Sequence, residues 1–192
     1  MNVALKEWSA VIEALDRGLQ IFLLRKGGIM EGRRGFELRY PEFLLFPTFE
    51  HQHARYLKPE FSELVTQPAG AVPITHLARV VQLVRAPQPL SGLETLARHH
   101  VWNEEFLGQR YSYRPDLPLY LVVVRVYRLR KPHVIPMRPS YAGCKSWVHL
   151  TEEISIDGAE AIIADREFDR RRAELAALIG SEDFEQGKQA AE

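Results

Sequence analysis

Leu119-Tyr120-Leu121-Val122-Val123-Val124-Arg125-Val126-Tyr127-Arg128-Leu129 is the stretch that decides the fold class. β-branched and aromatic residues dominate it and Pro118 precedes it, so it reads as the strongest strand of the chain. Weaker strand patterns surround it at 19–25, 36–40, 43–46, 76–85 and 145–150. Pro41 separates two of them, and Pro87 and Pro89 stop a third. The spacing of Leu5, Trp8, Val11, Ile12 and Leu15 predicts a first helix that Gly18 ends. A short helix is expected at 59–64, broken helix over 90–109 with an interruption near His99-His100, and a last helix at 165–179. That last helix makes its contacts through Phe168, Leu175, Leu178 and Ile179, and the proline-rich 131–143 reads as a connector. No strand–helix–strand alternation is sustained. The pattern therefore argues for α+β with a mixed or antiparallel sheet, not a doubly wound one.

One domain over 1–180 fits the length of 192 residues, followed by a polar, disordered tail at 181–192. Hydrophobic residues make up 46%, enough for a sizeable core. The 25 basic and 25 acidic residues cancel, so any contact with nucleic acid must rest on a local patch. With one cysteine, Cys144, no intrachain disulfide can form. The first eighteen residues carry Glu7, Glu13 and Asp16 and no long apolar run, so neither a signal peptide nor a membrane span is expected. A soluble cytoplasmic protein is the reading that results.

Five constellations carry potential chemistry. Arg25-Lys26-Gly27-Gly28 closes a strand with two cations and two permissive residues, a small electropositive notch suited to phosphate or carboxylate. It has neither phosphate-loop nor dinucleotide spacing, and a hairpin exit with solvated cations explains it as well. In Glu50-His51-Gln52-His53 the histidines stand two apart, but no further ligand is implied by spacing, so a hydrogen-bonding loop histidine is favoured over a metal site. No cofactor motif is present. His99-His100-Val101-Trp102-Asn103-Glu104 reads as a helix capped by Asn103, or as a stacking platform (Trp102) with a base-edge reader (Asn103). Arg125 lies among Leu121, Val123 and Tyr127 and needs an ion-pair partner or an anion. Cys144-Lys145-Ser146-Trp147 sets a thiol beside a lysine, yet a nucleophile needs a base that spacing does not supply.

The motifs ALKEW (4–8), LLRKGGI (23–29), FLLFPTFEHQ (43–52), HHVWNEEF (99–106), PLYLVVVRVYRL (118–129) and GCKSWVHL (143–150) come in an order that resembles the bacterial family termed domain of unknown function 1802. The resemblance covers about 4–180 and carries over no catalytic residue. The order of elements also resembles the ASCH and EVE branch of the PUA-like superfamily. There a helix closed by a glycine turn (Ala14 to Gly18) leads into a strand ending in arginine (Arg25), and segments similar to 102–106 and 120–127 follow. That likeness implies a small β-barrel with flanking helices that binds RNA, modified bases or nucleotides. Some relatives have a catalytic lysine and threonine just after the glycine turn. Leu19, Gln20 and Ile21 stand there in this chain, so their amidohydrolase chemistry is not implied.

The function favoured by this reading is a binding module for RNA, a modified base or a nucleotide. Its expected ligand-binding residues are Arg25, Lys26, Gly27, Gly28, His51, Gln52, Trp102, Asn103, Glu104, Arg125, Lys145 and Trp147. The alternative is a hydrolase or nuclease, metal-dependent or not, which requires His51, His99 or His100, Glu104 and Arg25 to line one pocket. A third reading, a partner-holding protein, would use the apolar face of the first helix and the acidic tail.

Overall fold

A computed structural model describes residues 1–26, 36–66, 70–87, 95–180, 184 and 188–189. Its strands are β1 (Val3–Trp8), β2 (Phe22–Arg25), β3 (Glu42–Thr48), β4 (Ala71–Arg85), β5 (Tyr120–Pro136), β6 (Trp147–His149), β7 (Glu160–Ala161) and β8 (Lys188–Gln189). Helices run over Ser9–Asp16, Glu104–Ser112 and Asp165–Ile179. The sheet order is β2-β5-β4-β3-β1-β6, with β7 on β5 and β8 on β4. Among the described residues only the β1–β3 pair is parallel, so the sheet is mixed and the class is α+β. No helix among the described residues is long and apolar enough to cross a membrane.

The sheet curls into a half-barrel. Neighbouring strands sit about 4.8 Å apart, so four steps along a flat sheet would put β2 about 19 Å from β1. Arg25 at the end of β2 nevertheless donates through Nη2 to the backbone O of Lys6 at 2.5 Å and to Glu7 Oε2 at 2.9 Å, both on β1. Side chains thus bridge the seam that backbone pairing leaves open. The curvature comes from the two long strands: β4 and β5 pair along nearly their whole length, with register shifts between Ile74 and His76 and between Val80 and Gln82.

Both faces of the sheet are covered, which explains the unbroken apolar runs. On β3, Phe43 and Leu45 enter the main core, while Leu44 and Phe46 enter a second cluster with Tyr141, Leu150 and Ile154. The first helix buries Ala10, Val11, Ile12, Ala14 and Leu15 in the main core, so the face considered for a partner is occupied by its own protein. Asp165–Ile179 covers β5: Arg125 donates to the Asp165 carboxylate and to Ile163 O, with its guanidinium 4.8 Å from the Phe168 ring centre. In the C-terminal tail, Phe184 is 4% exposed and 188–189 pair with Gln82 and Leu83.

Four expectations change. The first helix starts only at Ser9, because 3–8 form β1 between β3 and β6. Ala4 and Leu5 are fully buried on opposite faces, a period of two that the 3–4 spacing of Leu5, Trp8 and Val11 masks. Residues 36–40 form no strand; Phe36 and Tyr40 pack on the Trp147 ring instead. β4 starts at Ala71, and β5 runs to Pro136 through part of the expected connector, since each long strand satisfies the other's backbone.

The glycine turn after the first helix holds as expected. Gly18 has φ +64°, its N–H donates to Leu15 O, and Leu19 N–H donates to Ala14 O. This pair of bonds needs a residue in the left-handed region after the helix. A Cβ there would also meet Ile163 at 3.4 Å. Gly18→Ala should therefore lower stability by about 1–2 kcal/mol. Urea unfolding at an unchanged m-value would show it, and a midpoint equal to wild type would refute it. Asp16, in the last helical turn, is placed badly for the helix dipole. It is compensated by His76 Nε2 on β4 and Arg128 Nη2 on β5, each 2.7 Å from Asp16 Oδ1.

Candidate functional site

The open seam of the half-barrel forms a cleft of about 240 Å³. The ends of β1 (Lys6, Glu7, Trp8) and β2 (Leu24, Arg25, Lys26) make two walls. Trp102, Phe106 and Arg110 contribute from the 104–112 helix and its approach, and the turns at 48–51 and 143–146 form the rim. Five cations (Lys6, Arg25, Lys26, Arg110, Lys145) face two carboxylates (Glu7, Glu50) there. A chain of zero net charge thus concentrates positive charge at one place.

The cations are held differently. Lys26, only 2% exposed, donates through Nζ to Arg110 O at 3.0 Å and Tyr111 O at 2.8 Å. It joins β2 to the C-terminal turn of the helix, where a cation meets the negative end of the dipole. Burial pushes its ammonium below the ordinary lysine range. Arg25 is committed to Glu7 and Lys6 O, and its Nε has no hydrogen-bond partner among the described residues. Lys6, 6% exposed, donates to Gly143 O at 2.9 Å with Nζ 5.9 Å from the Phe46 ring centre. Burial, with Lys145 adding to it, lowers its pKa against the opposing pull of Glu50 and Cys144. Lys145 donates to Ser140 O and remains half-exposed.

An aromatic wall lies opposite. Trp8 packs 4.9 Å from Phe106 and 6.1 Å from Tyr56, and Trp102 stacks on Phe106 at 5.9 Å. Trp102 itself is 2% exposed, whereas Trp8 is half-buried and presents surface to the cleft.

Of the residues singled out from sequence, the structure brings Arg25, Lys26, His51, Trp102 and Lys145 to this cleft. Gly27 and Gly28 lie outside the described residues. Gln52 is 8% exposed and accepts from Ala10 N at 2.9 Å and Ser9 Oγ at 3.2 Å. It thereby caps a helix whose own cap position, Trp8, offers no acceptor. His51 at φ 61° makes the turn that sends Gln52 inward and His51 to the rim. Asn103 caps the 104–112 helix through Phe106 N at 3.0 Å. Trp147 sits in the core and donates to Glu37 O. Arg125 lies beneath the last helix.

Glu104 and His100 line a different hollow of about 410 Å³, with Lys58, on the other side of Trp102. The four groups that the hydrolytic reading needs in one pocket are thus divided between two. Among the described residues, no three His, Cys, Asp or Glu side chains are grouped to hold a metal ion. Sequence reasoning passes over Lys6, Glu7, Trp8 and Arg110. For the first three, the signal is the alternation hidden inside a supposed helix.

The family profile described as Domain of unknown function (DUF1802) matches residues 4–174, and the chain belongs to that family. No curated protein matches it. Among solved structures, the chain is similar to crystal structures of ASCH from Zymomonas mobilis. The unsubstituted protein gives a TM-score of 0.44 at 10% identity, covering 90% of this chain and 94% of the other. Two single-residue variants of it give 0.47 at 11% and 0.45 at 12%, covering 90% of this chain and 94% and 96% of theirs.

Proposed function

We propose that this member of the family binds one nucleotide unit, either a free nucleotide or one residue of a single-stranded RNA, in the seam cleft. The observation that carries the reading is the convergence of five cations with an aromatic wall in one small hollow of a protein whose net charge is zero. Ligand pockets usually measure about 300–1,000 Å³, and this one lies just below that range. One base with its phosphate suits the size; a duplex does not. Trp8 offers an aromatic face to the cleft, with Phe106 tilted 50° beside it, and stacking of one base is worth about 1–3 kcal/mol. Lys6, Lys145 and Arg110 stand where a phosphate would be held.

Tryptophan emission during titration with nucleoside monophosphates and short single-stranded RNA tests the reading. Quenching should saturate, and affinity should fall with salt at a log–log slope of about −0.7 per phosphate held, with only one to three phosphates involved. Unchanged emission at low salt would sink the proposal.

A further inference from the structure

We propose that Ser146 is a specificity-determining residue of the seam cleft and that, with Lys6 and Lys145, it holds a terminal phosphate monoester. The inference rests on the nucleotide reading and names the end of the ligand that the cleft selects: a free 5′- or 3′-phosphate, not an internal diester. Ser146 is only 7% exposed and lines the cleft, yet its hydroxyl has no hydrogen-bond partner among the described residues. The hydroxyl is not sealed from solvent either, and the surface that the residue keeps is at the cleft. A buried hydroxyl without a partner costs free energy that a ligand oxygen would recover.

The sheet sets this hydroxyl opposite a cation. The β1–β6 register pairs Leu5 with Trp147, and on the next rung Lys6 N–H donates to Ser146 O at 2.8 Å. Residues opposite one another on an antiparallel pair share a face, with Cβ atoms about 5 Å apart. The turn into β6 closes round the Lys6 ammonium: Gly143, at φ +85°, offers its carbonyl to Lys6 Nζ at 2.9 Å, and Lys145 N–H donates to the same carbonyl at 3.0 Å. One hydroxyl thus has one lysine across the rung from it and another just before it in the chain. Arg25 and Lys26 are committed elsewhere, to Glu7 and Lys6 O and to two helix carbonyls. Glu50 is the carboxylate that opposes the two lysines.

A terminal phosphate suits this set. It carries a charge of about −1.5 to −2 at pH 7 and presents three oxygens that only accept. A serine hydroxyl can donate to one of them, and an ammonium bonded to one carbonyl keeps donors for the others. An internal diester has a single charge and fewer free oxygens, so it matches two lysines less well against Glu50.

Calorimetric titration of the full chain at one fixed salt concentration, with AMP, its phosphate methyl ester, adenosine and ribose 5-phosphate, tests this. AMP should bind about 10-fold or more tighter than the methyl ester and adenosine. Ser146→Ala should lower AMP affinity about 10-fold, leave adenosine affinity unchanged, and unfold in urea at the wild-type midpoint or above it, because the hydroxyl it removes bonds to nothing in the fold. A methyl ester that binds as tightly as AMP would overturn the proposal and leave the nucleotide reading standing. So would a Ser146→Ala variant that binds AMP like wild type. Ribose 5-phosphate that binds as tightly as AMP, and loses that binding in Ser146→Ala, would support the monoester site and count against the nucleotide reading alone.

Discussion

Arg25→Met should destabilise the protein by about 3–5 kcal/mol, more than any other single change in the cleft. Arg25 and Glu7 have side chains 14% and 11% exposed and sit 2.9 Å apart. Removing the guanidinium leaves the Glu7 carboxylate in a largely dry seam with, among the described residues, only Trp8 N donating to it, at 2.8 Å. It also removes the donor to Lys6 O, and that backbone acceptor belongs to the strand on the other side of the seam. If the seam is held by this pair, the double variant Arg25→Met/Glu7→Leu should recover much of the loss, because no uncompensated charge remains. Urea denaturation of the four proteins of the cycle measures the coupling. Additive losses would mean that the pair does not hold β2 to β1.

The α+β class is legible because no strand–helix alternation is sustained around the 119–129 run, and the family because six motifs fall in order. The bounds of the C-terminal helix are legible to the residue, since its N-terminal turn carries Asp165 and Glu167, but of its four expected contacts Leu178 is 43% exposed while Phe168 and Leu175 are buried. β1 is not legible. Its six residues are too few for a period of two to outweigh the longer 3–4 pattern that continues into the first helix, and its pairing with β3 is parallel and 40 residues distant. That one misreading hides one wall of the cleft, since Lys6, Glu7 and Trp8 come from it. Gln52 shows the converse. A polar residue in a histidine-rich loop invites a ligand-reading role, but the structure uses it to cap a helix whose cap position is a tryptophan. Only tertiary contact distinguishes the two.

Lys6→Met should separate stability from binding. A buried ammonium is costly, and Lys6 is matched by one backbone carbonyl and a nearby Glu50 that is exposed to water. Methionine keeps the length of the side chain and can pack on the Phe46 ring. The Gly143 carbonyl is exposed and can turn to solvent. The variant should therefore be more stable than wild type at pH 7, by about 1 kcal/mol. The pH dependence fixes the cause. Burial lowers the Lys6 pKa from 10.5 in the folded state. Between that lowered value and 10.5, the unfolded chain binds more protons than the folded one, so wild-type stability rises with pH across the window. The advantage of Lys6→Met should be full below the folded pKa and shrink as the pH climbs toward 10.5. Binding should move the other way. Loss of one charge-assisted hydrogen bond, worth about 1.5–3 kcal/mol, weakens nucleotide affinity about 10- to 100-fold and lowers the salt slope by about 0.7. A variant that melts below wild type at every pH and binds as tightly would show that Lys6 serves the fold and not the ligand. A variant more stable and unable to bind would mark a cation kept in the cleft at the expense of the fold, as ligand sites require.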